Sequence, residues 1–338
     1  MKISIENLVS SFFFFKAFTA EDGKKFAGMV VEAFGGDLGG KRVVVIDHPP
    51  TAGLFPLLEG LEVAGAEVYV RDHHGDSDRE GAVPRVRALL GERAYITTRQ
   101  ENPACSSLVA QGEFSQENDI LIADADMDGL TAALKAAGAG YDTLDADAAV
   151  LDGAIALKTR ENLSPLGFKL VQSWGALPEF TDSEYSKVFA QIANAFADAA
   201  LGKGGEETLD VLIAEYGRKV ENAKVLAGQR IKEVAPGVNF ADIVDARDYD
   251  KPTFLALLNG KAKLTVARQG GAMTKNGHAA QYSIQRTKAG ESINLLNLVP
   301  SDWARGPKQG VLANQPFIIH LSPERWEQLK EVIFAAAV

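Results

Sequence analysis

Three of the five histidines in the chain, His48, His73 and His74, stand beside aspartates at the ends of short apolar runs. The segments are Ile46-Asp47-His48-Pro49-Pro50 and Arg71-Asp72-His73-His74-Gly75-Asp76; a third, Asp124-Ala125-Asp126-Met127-Asp128-Gly129, carries carboxylates alone. Alternate spacing predicts that Asp124, Asp126 and Asp128 share one side of an extended segment, where like charges repel unless a cation neutralises them. Oxygen ligands with a few imidazoles and no thiolate suit Mn2+ or Mg2+ better than a structural zinc. Such a set has the means to hold two ions about 4 Å apart, the arrangement that clamps a phosphoryl group during in-line displacement. One Asp-x-Asp at a strand end is more simply a turn or helix cap. Three clusters at three strand ends, one of them a His-His pair, favour a metal site.

The elements that must position these groups are legible in the pattern. Val43–Ile46, Val68–Val70 and Ile120–Ala123 are continuous apolar runs, as expected of strands covered on both faces. Helical periodicity falls between and after them, at 20–34, 54–64, 83–91 and 129–138. Repeated βαβ units predict an α/β fold with a parallel sheet, in which ligands bind beyond the carboxyl ends of the strands. From Thr181 the character changes. Thr181-Asp-Ser-Glu184 predicts a capped helix carrying Tyr185, Val188, Phe189, Ile192 and Phe196, ended by Gly202-Lys-Gly-Gly205. A second helix carries Leu209, Leu212, Ile213, Tyr216 and Val220. Beyond residue 230, short alternating runs at Lys263–Ala267 and Gln281–Gln285, then Phe317–Leu321 and a helix opened by Ser322-Pro-Glu, predict a smaller α+β domain. The expected division is a metal-binding α/β domain over 1–180, a helical connector over 181–230 and an α+β substrate domain over 231–338.

A chain of 338 residues exceeds one ordinary core. Its 46% apolar content excludes a disordered or collagenous chain. The single cysteine, Cys105, excludes an intramolecular disulfide framework, and no zinc-binding Cys/His spacing occurs, so a reducing cytoplasm is the expected location. The net charge of −10 opposes a whole-surface attraction to nucleic acid or anionic lipid. Leu8–Phe15, with Ala17-Phe-Thr-Ala20 behind it, has a leader-like look, but Glu6, Lys16 and the shortness of the run predict a buried strand or helix end and no membrane span. Gly35-Gly-Asp-Leu-Gly-Gly40-Lys41 lacks the Ser or Thr of a P-loop and precedes a strand. His320, in an apolar run, is expected to be structural, and Cys105 has no adjacent base to make it a nucleophile.

Asp72-His73-His74 after a strand, together with Asp124-Ala-Asp-Met-Asp-Gly129 before an Ala-rich helix, resembles the DHH phosphoesterases. That family includes exopolyphosphatases, oligonucleotide and single-strand exonucleases and cyclic-dinucleotide hydrolases. The resemblance implies an α/β metal domain with a smaller C-terminal substrate domain, and two Mn2+ ions (with Mg2+ as the substitute) held by Asp47, His73, Asp126 and Asp128. It implies that His74 faces the phosphate. Asp124 stands near the place of a histidine often found before the Asp-x-Asp pair, and Asp152, with Asp147 behind it, is the counterpart of a fourth-motif aspartate. Asp72 would orient a site histidine. The family runs Asp-x-Asp-Gly, lone aspartate, then the triplet; here the order is Asp47, the triplet, then Asp-x-Asp-Gly, as a circular permutation would leave it.

Between Lys251 and Lys308 nine basic residues face two acidic ones. Arg268-Gln-Gly270-Gly271 and Gly277-His278-Ala-Ala280 combine glycines, which admit close backbone approach, with cations that bind phosphate; the second resembles the glycine-rich substrate motif of the same family. Aromatics there are few, namely Phe254, Tyr282 and Trp303, so base stacking is not indicated. The expected function is a Mn2+-dependent phosphoesterase acting on a small polyanion such as polyphosphate, a dinucleotide or a short single-stranded nucleic acid. The alternatives are a non-catalytic nucleotide or phosphate sensor with a degenerate site and a purely structural interaction protein.

Overall fold

The computed structural model describes residues 2–15, 19–78, 81–153, 162–178, 184–274, 277–303 and 311–338. The chain divides into two compact units, Met1–Ala214 and Glu215–Val338. The first is built on a sheet of β1 (Lys2–Ile3), β2 (Ser11–Phe14), β3 (Arg42–Ile46), β4 (Glu67–Asp72), β5 (Ala94–Ile96) and β6 (Asp119–Ala123). The spatial order is β1-β2-β6-β3-β4-β5, with β1 antiparallel at the edge and the other five parallel. The fold is α/β.

Helix α1 (Ala20–Ala33) joins β2 to β3, α2 (Leu54–Val63) joins β3 to β4, and α3 (Ala82–Leu90) joins β4 to β5. Their apolar faces and the alternate strand residues Val43, Val45, Val68, Val70, Ile120 and Ile122 form one core. Helix α4 (Met127–Ala136) follows β6 and packs against β6 and β3. It is succeeded by α5 (Leu144–Gly153), α6 (Pro165–Trp174) and α7 (Tyr185–Ala200), and Phe14 of β2 lies 4.7 Å, ring to ring, from Phe189 of α7. The leader-like run Leu8–Phe15 thus contains a buried strand, with Phe12, Phe13 and Phe14 at most 1% exposed. No helix among the described residues is long and apolar enough to cross a membrane.

Local chemistry sets several boundaries. Thr19 and Asp22 form a reciprocal capping box at α1, and Ser164 caps α6 with Pro165 in its first turn. Helix α7 ends where Gly202, Gly204 and Gly205 take positive φ angles of 66°, 105° and 90°. Its expected cap, Thr181-Asp-Ser183, lies outside the described residues. At the amino ends of the central strands, Arg42 donates from Nε and Nη2 to the two carboxylate oxygens of buried Asp119, at 2.8 and 2.6 Å, pinning the β3–β6 register.

Helix α8 (Glu206–Arg230) continues into the second unit, whose sheet runs β11-β12-β10-β9-β8-β7. These are β7 (Lys232–Ala235), β8 (Val238–Asp242), β9 (Leu264–Thr274), β10 (Gly277–Arg286), β11 (Val311–Gln315) and β12 (Ile318–Leu321). All pairs are antiparallel except β8–β9, which α9 (Lys251–Asn259) connects as a crossover. Leu264, Val266, Ile284 and Ile319 pack with Trp326 and Leu329 of α10 (Pro323–Ala337). Ala241 and Ala267 pack with Ala223 of α8 and Phe254 of α9. The α+β character follows from sheet strands that bury alternate residues on both faces.

Candidate functional site

Strand register lines up the chemistry in the first unit. Ile46 pairs with Arg71 on one side and with Ala123 on the other, so Asp47, Asp72 and Asp124 each stand one step further, in a row at the carboxyl ends of β3, β4 and β6. Asp47 takes φ +56°, a left-handed conformation that aspartate tolerates better than most residues, while its N–H stays bonded to the Arg71 carbonyl at 2.9 Å. Two glycines let the following segments close on the row. A Cβ on Gly129 would lie 2.5 Å from the Asp124 carbonyl oxygen, and one on Gly75 would lie 2.6 Å from that of Thr97.

His73 is fully buried and donates from Nδ1 to the Asn102 carbonyl at 2.9 Å, which leaves Nε2 as the acceptor face of a neutral ring. That Nε2 lies 3.2 Å from Asp47 Oδ1 and 3.4 Å from Asp128 Oδ2. His73 Nε2, Asp47 Oδ1 and Asp128 Oδ1 are buried without hydrogen-bond partners. Acceptor atoms so placed repel one another unless a cation sits among them, and a proton is the smallest one that can. The acid–base balance says the same. Burial raises Asp47 to about 7, reinforced by the charge of Asp126 and opposed by His73. Burial, then the charge of Asp47, pushes Asp128 well above the usual carboxylate range. Burial opposes protonation of His73, but Asp47 and Asp128 outweigh it and raise the ring to about 9.

His74 is held differently. Asp72 accepts from its backbone N–H at 3.0 Å and from Nδ1 at 2.8 Å, while Arg99 Nη2 donates to its Nε2 at 2.7 Å. Burial lowers and Asp72 more than restores the pKa of His74, for a net rise; the Arg99 contact needs a neutral ring and opposes that rise. Both ring nitrogens are thus engaged. Asp72 fixes the ring of His74.

Among the described residues, two sets of side chains bring ligand atoms within 4.8 Å of one another: Asp47, His73 and His74, and His73, Asp128 and Asp152. These buried clusters could hold metal ions, and their oxygen and imidazole donors with orphaned acceptors fit a hard or borderline divalent cation. His73 Nε2 has one lone pair, so a site with two ions needs a carboxylate as the shared ligand.

Asp124 and Asp126 fall in neither set, and their segment is not the extended one expected. Asp126 is the N-cap of α4, accepting from the Gly129 N–H at 2.9 Å, and Asp128 already lies in the first helical turn. Asp124 Oδ1 accepts from the Ala125 N–H at 2.6 Å. The chain turns because capping satisfies helix N–H groups that an extended strand end would leave to solvent. Of the aspartates on α5, Asp147 is saturated by Tyr141 Oη, Ser164 N–H and Ser164 Oγ, whereas Asp152 joins the His73–Asp128 set.

No family model matches the chain, and no curated protein sequence does. Among solved structures, the pGpG-specific phosphodiesterase PggH from Vibrio cholerae aligns over 87% of this chain and 98% of its own length. The TM-score is 0.38 and the identity 12%. An alignment at that level bears on neither the fold nor the chemistry of this chain.

Sequence patterning missed Arg99 and Cys105. Arg99 follows β5, a strand of three residues whose apolar signal is too short to announce a site. Cys105 donates its backbone N–H to Asp128 Oδ2 at 3.0 Å and its thiol to the Arg71 carbonyl; burial keeps the thiol protonated, well above its ordinary range. It positions Asp128. His48, also buried, donates from Nδ1 to the Pro49 carbonyl and packs 5.4 Å from Phe15.

The residues predicted to bind substrate lie in the second unit, on β9 and β10. Arg268 donates to Asp242 Oδ2 at 2.6 Å, across the β8–β9 pair. Gly270 is exposed and pairs with Ala280, and the backbones of Gly277 and His278 pair with Thr274 and Met273. Gly271 lies on β9; side chains from 271 to 280 are outside the described residues, as are Lys275, Arg305 and Lys308. Phe254 is buried and Tyr282 stacks on Trp326 at 4.8 Å, which removes both as base-stacking surfaces. His320 is structural: its Nδ1 meets Ser283 Oγ.

Proposed function

We propose that this chain is a divalent-metal-dependent phosphoesterase of DHH type, with the motif order rewired by permutation. It hydrolyses a phosphodiester or phosphoanhydride bond in a small polyanion, with Mn2+ as the preferred ion. The observation that carries this reading is the buried, orphaned His73 Nε2, which lies 3.2 Å from the equally orphaned Asp47 Oδ1 at the end of β3 and 3.4 Å from Asp128 Oδ2 in the first turn of α4.

Asp47, His73, Asp128 and Asp152 would hold the metal, with Asp126 and Asp124 completing the acidic shell. A bound divalent ion supplies Lewis-acid polarisation of a phosphoryl oxygen and lowers the pKa of water. Asn102 fixes the His73 ring with its lone pair toward the carboxylates. Asp72 holds the His74 proton on Nδ1, so that Nε2 would accept a proton from the substrate or, once protonated, donate to a phosphate oxygen. Within the second unit, Arg268 and His278 would bind phosphate with the backbone at Gly270, Gly271 and Gly277.

The test is turnover of polyphosphate, a 5′-phosphorylated dinucleotide and a longer single strand by purified protein with MnCl2. Hydrolysis that stops with chelator and is abolished in Asp128→Ala supports the reading. Tight binding of one of these ligands without turnover in any divalent metal would make the chain a sensor.

A further inference from the structure

Arg99 brings a full positive charge into the carboxylate cluster through a single nitrogen. Its Nη2 lies 2.7 Å from His74 Nε2 and 2.9 Å from Asp152 Oδ1. Asp152 is also one of the three residues whose ligand atoms converge with those of His73 and Asp128. A guanidinium and a divalent ion therefore draw on the same carboxylate. The pair is loosely held: the Arg99 side chain is 47% exposed, and exposed pairs of this kind are weak enough for a divalent ion to break. Once free of Asp152, the guanidinium stays beside the outward face of His74, where the fork of N–H donors matches phosphate oxygens.

Resting on the phosphoesterase reading, we propose that Arg99 is a phosphate ligand released by the metal. It pairs with Asp152 and His74 until a divalent ion takes Asp152, and then, still held beside His74, donates to a substrate phosphate oxygen. The site would in this way withhold its phosphate clamp until it is loaded with metal.

The test is calorimetric titration of Mn2+ into wild type, Arg99→Gln and Arg99→Lys, then of inorganic phosphate into each Mn2+-saturated protein, with circular dichroism to check folding. Arg99→Gln is expected to bind Mn2+ about two- to fivefold more tightly, since the competing cation is gone. The same variant is expected to bind phosphate about tenfold more weakly, with Arg99→Lys in between. In Asp152→Asn the Mn2+ gain from Arg99→Gln disappears. Weaker Mn2+ binding in Arg99→Gln would show that Arg99 merely positions Asp152, and would overturn the proposal, as would unchanged phosphate affinity. Failure of wild type to bind Mn2+ overturns the phosphoesterase reading and this proposal together; Mn2+-dependent turnover with unchanged phosphate affinity in Arg99→Gln overturns this proposal alone.

Discussion

His73 Nε2 and Asp47 Oδ1 lie 3.2 Å apart, both buried and neither with a hydrogen-bond partner. Two such atoms stay that close only with a cation between them, a proton on the ring, whose pKa is raised to about 9, or a metal ion in its place. Replacing either residue is therefore expected to act on metal binding before it acts on folding. Asp47→Asn and His73→Ala should each weaken Mn2+ binding by about 100-fold or more, beyond the range seen for residues that only support ligands. Asp47→Asn also removes one of two crowded carboxylates, so the chelator-treated variant should be at least as stable as wild type. Unchanged Mn2+ affinity by calorimetry in both variants would dismiss this centre.

The same pair sets a pH dependence. Asp47 is raised to about 7 from 3.8, so the folded protein keeps a proton there that the unfolded chain has lost, and stability falls as pH rises across that interval. His73, raised to about 9 from 6.5, contributes stability that is complete below its unfolded pKa and lost as pH climbs through its folded one. Both slopes have one sign. Chelator-treated protein should lose thermal stability steadily from about pH 5 to about pH 9, and added Mn2+, which replaces the protons, should stabilise more at higher pH. Thermal melts at several pH values with chelator or MnCl2 check this; a metal increment independent of pH would refute it.

Asp72 accepts both the backbone N–H and the Nδ1 proton of His74. Asp72→Asn keeps the shape but offers an amide where the ring needs an acceptor, freeing the tautomer and orientation of His74. Hydrolysis should fall about 10- to 100-fold, with Mn2+ affinity changed far less. Parallel measurement of kcat and Mn2+ Kd decides it, since an equal loss in both would place His74 on the metal.

Gly129 tests the backbone that carries the acidic segment. With the Asp124 carbonyl oxygen 2.5 Å from any added Cβ, Gly129→Ala must push the start of α4 off the end of β6. The expected cost is about 1–3 kcal/mol of stability, with weaker Mn2+ binding because Asp128 moves with the helix. Denaturant unfolding reads the first effect and calorimetry the second. Gly28→Ala, inside α1 with open space at its Cβ, should leave Mn2+ binding unchanged and raise stability by about 0.5–1 kcal/mol.

The sequence by itself determined the central strands, most helices and the residue types at the strand ends. Burial on both faces writes an unbroken apolar run such as Val43–Ile46, and the charges that stop it are written beside it. Periodicity likewise placed α1, α2, α3 and α4 to within about two residues, because a helix buries one face at a fixed spacing. Only the tertiary structure decided who meets whom. Insertion of β6 between β2 and β3 sets Asp124–Asp128 beside Asp47, a neighbourhood that chain order does not contain. It also separated Asp147 from Asp152 on α5, engaging Asp147 with Ser164 and Tyr141 and leaving Asp152 to the His73–Asp128 set. It turned Asp126 into a helix cap, tied Arg268 to Asp242 and brought Arg99 to His74. A side chain's role depends on the charge and shape of neighbours from other elements, and those neighbours are fixed by strand order and packing, which local spacing does not encode.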